Sequence, residues 1–156
     1  MIVSGAHHTG FSVVDLDRSI KFYALLGCEV LWQRDVEDEY FRTIVGLPDT
    51  VVRAAHLRIP ASDHVIELFQ YGPQEAPTNL RPNQPGHSHV AFIVDDLPAV
   101  HAELSAMGVR FYSDPVMITA GVNTGGYGVY MLDPNGITLE LFQPPKRDGG
   151  NGTAGR

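Results

Sequence analysis

Two stretches of this chain align with each other without a gap. Residues 8–30 lie over residues 89–111 at a constant offset of 81: His8 meets His89, Phe11 meets Phe92, Val13 meets Val94, Asp15-Leu16 meets Asp96-Leu97, and Gly27 meets Gly108. A second match closes each half. Glu67-Leu68-Phe69-Gln70 recurs as Glu140-Leu141-Phe142-Gln143 at an offset of 73, so the first half carries 81 − 73 = 8 extra residues. They fall between Gln33 and Thr50, where the text turns charged and then turn-like at Gly46, Pro48 and Asp49. A chain written twice on one plan folds as two copies of one supersecondary unit, and that constrains the architecture more than any other feature.

Each copy reads the same way. A short strand (8–14; 89–95) alternates its side chains between two faces. Asp15 or Asp17, and Asp95 or Asp96, are candidate caps for a following helix. Leu16, Ile20 and Tyr23 in the first copy, and Leu97, Val100, Leu104 and Met107 in the second, are spaced as one helical face. Gly27 and Gly108 suit the left-handed residue that ends such a helix. A hairpin closes each copy: 51–59 with 64–71, and 126–132 with 137–143. The turn of the second is Asp133-Pro134-Asn135-Gly136. The expected fold is α+β: two tandem βαβββ modules forming a curved mixed sheet. The divisions are a first module over 1–72, a linker over 73–86, a second module over 87–144 and a flexible tail over 145–156, where Pro, Gly and basic residues show no apolar periodicity.

Composition narrows the function. The net charge of −7 disfavours nucleic acid, whose phosphates need clustered Lys and Arg. Hydrophobic residues at 44% suit a packed core, but no apolar run approaches the ~20 residues that span a bilayer. The single cysteine, Cys28, leaves no intramolecular disulfide and no Cys-rich zinc site. Residues 1–6 are too short and uncharged to read as a signal peptide. A soluble, cytoplasmic protein is the expectation.

Strand alternation then brings four residues into focus. His8, Gly10 and Ser12 share one face of the first strand, and Phe11 and Val13 the other. His89, Ala91 and Ile93 repeat this opposite Phe92 and Val94. The Phe–Val face suits packing against the helix. The other carries a histidine followed by small residues, as a ligand-holding surface would. Glu67 and Glu140 each sit in the middle of an apolar strand, where a carboxylate is costly to bury unless paired or metal-bound. Two histidines and two glutamates make a nitrogen/oxygen donor set suited to Zn²⁺, Ni²⁺, Co²⁺, Mn²⁺ or Fe²⁺.

The segments HTGFSVVDLDRSIKFY, HVIELFQY, HVAFIVDDL and LDPNGITLELFQ resemble the vicinal oxygen chelate superfamily. That superfamily includes glyoxalase, methylmalonyl-CoA epimerase, extradiol dioxygenases and the fosfomycin and bleomycin resistance proteins. The resemblance covers the chain from about His8 to Gln143. It implies one divalent metal held by His8, Glu67, His89 and Glu140. The complete set points to the glyoxalase and epimerase branch. Ring-cleaving dioxygenases and fosfomycin-type transferases use only the positions of His8, His89 and Glu140, and bleomycin-binding members lack the set. The implied chemistry is a lyase or isomerase reaction that moves a proton next to a carbonyl through a metal-bound enediolate. Glu140 or Glu67 would be the catalytic base, and the substrate a small molecule with vicinal oxygens. A homodimer is implied as well, with no nucleic-acid or membrane partner. An Fe(II) extradiol-type dioxygenase and a non-enzymatic small-molecule binding or resistance protein are the alternatives.

Other residues receive plainer readings. His7 and His87 are exposed neighbours of the paired histidines. His56, His64 and His101 have no repeat partner of their own kind and read as structural or surface residues. Cys28 reads as a small buried residue. The glycine-rich run 121–128 lacks the lysine and spacing of a phosphate-binding loop and reads as a mobile loop at the site's mouth. Arg34, Arg42, Arg53, Arg81 and Arg110 are available to anchor an anionic substrate, with no pattern to single one out. The substrate and any thiol or CoA cosubstrate stay open at this point.

Overall fold

The computed structural model describes residues 2–75 and 81–146. The chain divides into two compact units, residues 1–79 and 80–156. Part of the expected linker, residues 76–80, and most of the expected tail, residues 147–156, lie outside the described residues.

The first unit runs β1 (His8–Ser12), α1 (Leu16–Leu25), β2 (Glu29–Val36), α2 (Glu39–Val45), β3 (Val51–Arg58) and β4 (Val65–Gly72). Its four strands form one mixed sheet in the order β1-β4-β3-β2, with β1 parallel to β4 and the other pairs antiparallel. The second unit runs β5 (Val90–Ile93), α3 (Leu97–Ala106), β6 (Arg110–Phe111), β7 (Val116–Met117), β8 (Tyr127–Leu132) and β9 (Thr138–Gln143). Its sheet repeats the pattern as β5-β9-β8-β6, and β7 continues along the same edge of β8. Each unit is therefore a βαβββ plan. The first adds α2 within the stretch that holds its extra residues, and the second breaks its edge strand into two short segments.

The strand–helix junction is built alike in both units. Phe11, Val13 and Phe92 are buried, whereas His8, Gly10, Ser12, His89 and Ala91 are exposed, which is the expected division of faces. Asp15 caps α1 by accepting from the Arg18 amide, and Asp96 caps α3 by accepting from the Ala99 amide. The repeated glutamine has a role invisible in the text alone. Gln70 Oε1 accepts from the Leu16 amide at 2.8 Å, and Gln143 Oε1 from the Leu97 amide at 2.7 Å. The last residue of each ELFQ segment thus satisfies a first-turn N–H that the helix itself cannot. Leu16 and Leu97 are fully buried beside these bonds, locking helix to sheet.

The helices end as expected, with Gly27 at φ +81° and Gly108 at φ +86°. Met107 departs from the expected helical face: it is the residue after α3 and stands exposed. Most strands are shorter than read, β4 is shifted by one residue to Val65–Gly72, and His89 lies one residue before β5. Helix α2 packs Phe41 against Phe69 and Tyr71. Among the described residues no helix is long and apolar enough to cross a membrane.

Candidate active site

In the first unit, β1 and β4 run parallel with Gly10 beside Glu67. Glycine at that place keeps the strand surface low. His8, one alternation earlier on the same face, reaches across it, and its Nε2 lies 2.9 Å from Glu67 Oε2. In the second unit Ala91 stands beside Glu140, and His89 Nε2 lies 3.1 Å from Glu140 Oε2. The repeated pairs of the sequence are thus two geometrically equivalent pairs, one in each unit.

Two donors on adjacent positions of an octahedral ion, each about 2.1 Å from it, stand about 3 Å apart. Both His–Glu spacings match that edge. The donor chemistry, imidazole nitrogen with carboxylate oxygen, suits a first-row divalent ion. Either pair by itself supplies two ligands. Among the described residues no group of three or more His, Cys, Asp or Glu side chains is placed to hold a metal ion together.

Each pair has a neighbour on the adjoining antiparallel strand. His56 stands directly across from Glu67, and Tyr130 directly across from Glu140. His56 Nε2 meets Glu67 Oε1, the oxygen that His8 does not touch. Trp32, the next residue across the sheet, lays its ring 4.2 Å from the His56 ring. Burial lowers the pKa of His56, against the opposing pull of the Glu67 carboxylate. In the second unit the Tyr130 hydroxyl lies 3.4 Å from His89 Nε2, and Tyr112 meets the Tyr130 ring edge-on. Burial, then the Glu140 charge, raises the Tyr130 pKa, so its phenol stays protonated at neutral pH.

The other histidines divide. His56, read as structural or surface, is part-buried and is the cross-strand partner of Glu67. His7 Nδ1 lies 2.8 Å from His8 Nδ1, so it touches the ring nitrogen that does not face Glu67. His64 bonds to Thr9 and His87 to Thr138, tying the parallel strands of each unit. His101 packs its ring on Phe111. Burial pushes the Cys28 thiol up to about 11, which leaves it little thiolate with which to act as a nucleophile.

A cleft of about 330 Å³ opens in the second unit beside this pair. Its walls are Pro82, Tyr112, Ser113, Gly128, Val129, Tyr130 and Glu140. Glu140 Oε2 faces His89, and Oε1 points toward Gly128, where an added Cβ would stand 3.5 Å away. Among the described residues no lysine or arginine lines this cleft. Three of the arginines available as anchors are engaged elsewhere: Arg34 with Asp38, Arg42 with the Thr50 carbonyl and Arg53 with Asp17. The glycine-rich run forms the loop from β7 to β8. It is closed by bonds from the Ile118 amide to the Gly126 carbonyl and from the Gly125 amide to the Ile118 carbonyl, and Gly128 reaches the cleft wall.

Comparison with known proteins agrees with this architecture. The family model of the Glyoxalase/Bleomycin resistance protein/Dioxygenase superfamily matches residues 7–127. A 2-epi-5-epi-valiolone epimerase from an Actinomyces species is 32% identical over 146 residues, covering 89% of this chain and 79% of that protein. A putative lactoylglutathione lyase of Brassica oleracea var. gemmifera is 30% identical over 140 residues; the match takes in 87% of this chain but only 43% of the longer plant protein. The crystal structure of a glyoxalase family protein from Bacillus cereus superposes with a TM-score of 0.81 at 22% identity, over 94% of this chain and 99% of the other. With the repeated βαβββ plan and the family match over most of its length, this chain belongs to the Glyoxalase/Bleomycin resistance protein/Dioxygenase superfamily.

Proposed function

We propose that this chain is a divalent-metal-dependent isomerase or lyase, with epimerisation of a small, uncharged hydroxyketone the favoured reaction. The observation that carries the reading is the His–Glu pair built alike in both units, His8 with Glu67 and His89 with Glu140. We take the two pairs to serve one ion, whether they come from one chain or from two copies in a homodimer. A bound divalent ion would polarise the substrate carbonyl and so acidify the neighbouring C–H.

The protein's own groups then divide the work. Glu140 is the base. Its Oε1 has no hydrogen-bond partner among the described residues, and the residue lines the cleft. It takes the proton as the C–H bond breaks and an O–H bond forms. Returning it to the neighbouring carbon gives an isomer, whereas an epimer forms when water delivers a proton to the opposite face of the same carbon and Glu140 then releases its own proton to solvent. Tyr112, Ser113 and Tyr130 offer hydroxyls at the cleft wall, which suits a polyhydroxylated ligand, and the absence of a cation among the described residues of that wall suits an uncharged one. The similarity to a 2-epi-5-epi-valiolone epimerase supports the same choice.

The test is metal content of purified wild type and Glu67→Ala, measured side by side, with exchange of solvent deuterium into α-hydroxyketones. About one ion per site in wild type, sharply reduced in the variant, together with deuterium uptake, is expected. Undiminished metal in Glu67→Ala would instead favour the three-ligand dioxygenase or transferase pattern. No metal in either protein would leave a binding protein.

A further inference from the structure

The contacts of Glu67 separate its two oxygens. Oε2 faces His8, and Oε1 meets His56. An ionised carboxylate only accepts hydrogen bonds, so His56 Nε2 carries the hydrogen and donates it. The ring is itself held: it lies directly across the β3–β4 ladder from Glu67 and directly across the β2–β3 ladder from Trp32, whose indole covers it. Trp32 in turn lies beneath the Arg34 guanidinium, 5.8 Å from its ring centre. Three neighbouring strands thus present one row of side chains, Trp32, His56 and Glu67, which ends at His8 on the fourth strand. The second unit keeps the row but changes its chemistry. Tyr130 replaces His56, and its hydroxyl approaches His89, not Glu140.

From this asymmetry we propose that His56 is a positioning residue for the metal site: by holding Glu67 Oε1 it leaves Oε2 as the single ligating oxygen and makes Glu67 the fixed ligand of the pair of glutamates. This rests on the four-donor reading above. A carboxylate free to rotate could bind an ion through either oxygen or both, or turn away. One held at Oε1 presents Oε2 next to His8 before any ion arrives. Hydrogen-bond partners of metal ligands typically contribute 10–100-fold to affinity, because they cut the cost of ordering the ligand. The same bond explains the division of labour. Glu67 has both oxygens occupied and is poorly placed to carry a substrate proton, whereas Glu140 keeps one oxygen free.

The row also supplies a test that separates positioning from packing. His56→Phe keeps a ring beneath Trp32 and loses the N–H. His56→Gln keeps an N–H donor and loses the ring. Co²⁺ is titrated into the metal-free full-length wild type, both variants and Glu67→Ala, with chelator competition for affinity and the visible cobalt spectrum for coordination. Positioning predicts that His56→Phe binds Co²⁺ 10–100-fold more weakly with an altered spectrum. His56→Gln then stays within a few-fold of wild type. The reverse order, or wild-type affinity in His56→Phe while Glu67→Ala has lost the ion, overturns the assignment. Undiminished Co²⁺ binding by Glu67→Ala overturns the four-donor reading and the role of His56 with it. Thermal melts of each variant confirm folding, and because the two His56 variants perturb packing in opposite ways, failure of one to fold leaves the other as the test.

Discussion

Glu67 and Glu140 occupy matching places, yet the structure surrounds them differently. Glu67 meets imidazoles at both oxygens, and Glu140 meets one. Replacing Glu140 by Gln keeps size and shape and removes the basic oxygen. We expect kcat to fall by about 10²–10⁴-fold, the usual worth of a positioned base, with an unchanged circular dichroism spectrum. Retained turnover would place the base elsewhere. The four candidate ligands were legible because the repeat paired them by type. His56 was not, for a reason that is itself structural. The offset of 73 that aligns the two ELFQ segments sets His56 against Val129, a buried core residue. His56 and Glu67 are 67 − 56 = 11 residues apart, but Tyr130 and Glu140 only 140 − 130 = 10, so the offset shifts by one across the turn. The true counterpart of His56 is a tyrosine. What the two units share there is a register position, and no search for matching residue types finds it.

Helices α1 and α3 show how local rules and tertiary contacts combine. Both begin at an aspartate cap reinforced by a glutamine from the neighbouring strand, and both are followed by a glycine of positive φ. The glycines differ in surroundings. A Cβ on Gly108 would meet nothing within 4 Å, while one on Gly27 would stand 3.2 Å from Pro60 Cγ. Gly108→Ala therefore carries only the left-handed backbone cost, about 1 kcal/mol. Gly27→Ala adds a steric contact and should be the more destabilising in urea denaturation. Equal losses would mean that Pro60 yields freely. Caps and helix ends were legible because the side chains that make them are few and local. Helix α2 was not: it has seven residues and no buried side chain, so its segment read only as charged and turn-like. Strands β6 and β7, two residues each, are too short to show an alternation.

The whole molecule is two compact units, each with its own sheet and its own His–Glu pair. An ion that binds only the folded chain stabilises it by mass action, about 2.7 kcal/mol at a free concentration 100 times its dissociation constant. Chelation should therefore lower the melting temperature of wild type and leave that of Glu67→Ala nearly unchanged. A wild-type melt indifferent to chelator would show that no ion is linked to folding. The repeated βαβββ plan was legible at this scale because a duplicated text has one economical explanation, and the like strand order of the two sheets agrees with it. The cleft was not legible, because the side chains that line it, Tyr112, Ser113 and Tyr130 among them, fall outside every repeated motif.

The interruption between β6 and β7 has a consequence for how such a protein can diversify. Strand β2 runs unbroken along its neighbour apart from one irregularity, so changing its length would disturb the ladder that carries His56. The corresponding edge of the second unit is paired at Arg110 and Phe111 and again at Val116 and Met117; of the four residues between, Tyr112 still donates its amide to the Tyr130 carbonyl, which leaves Ser113, Asp114 and Pro115 outside the ladder. Those three residues can lengthen, shorten or change character while β8 and β9 keep Glu140 in place. Inherited variation, or a combinatorial library, confined to that short gap would change the cleft wall at Ser113 and leave the strands behind it in register. A fold built twice, with one continuous sheet edge and one interrupted, can change at the second without disturbing its own sheet.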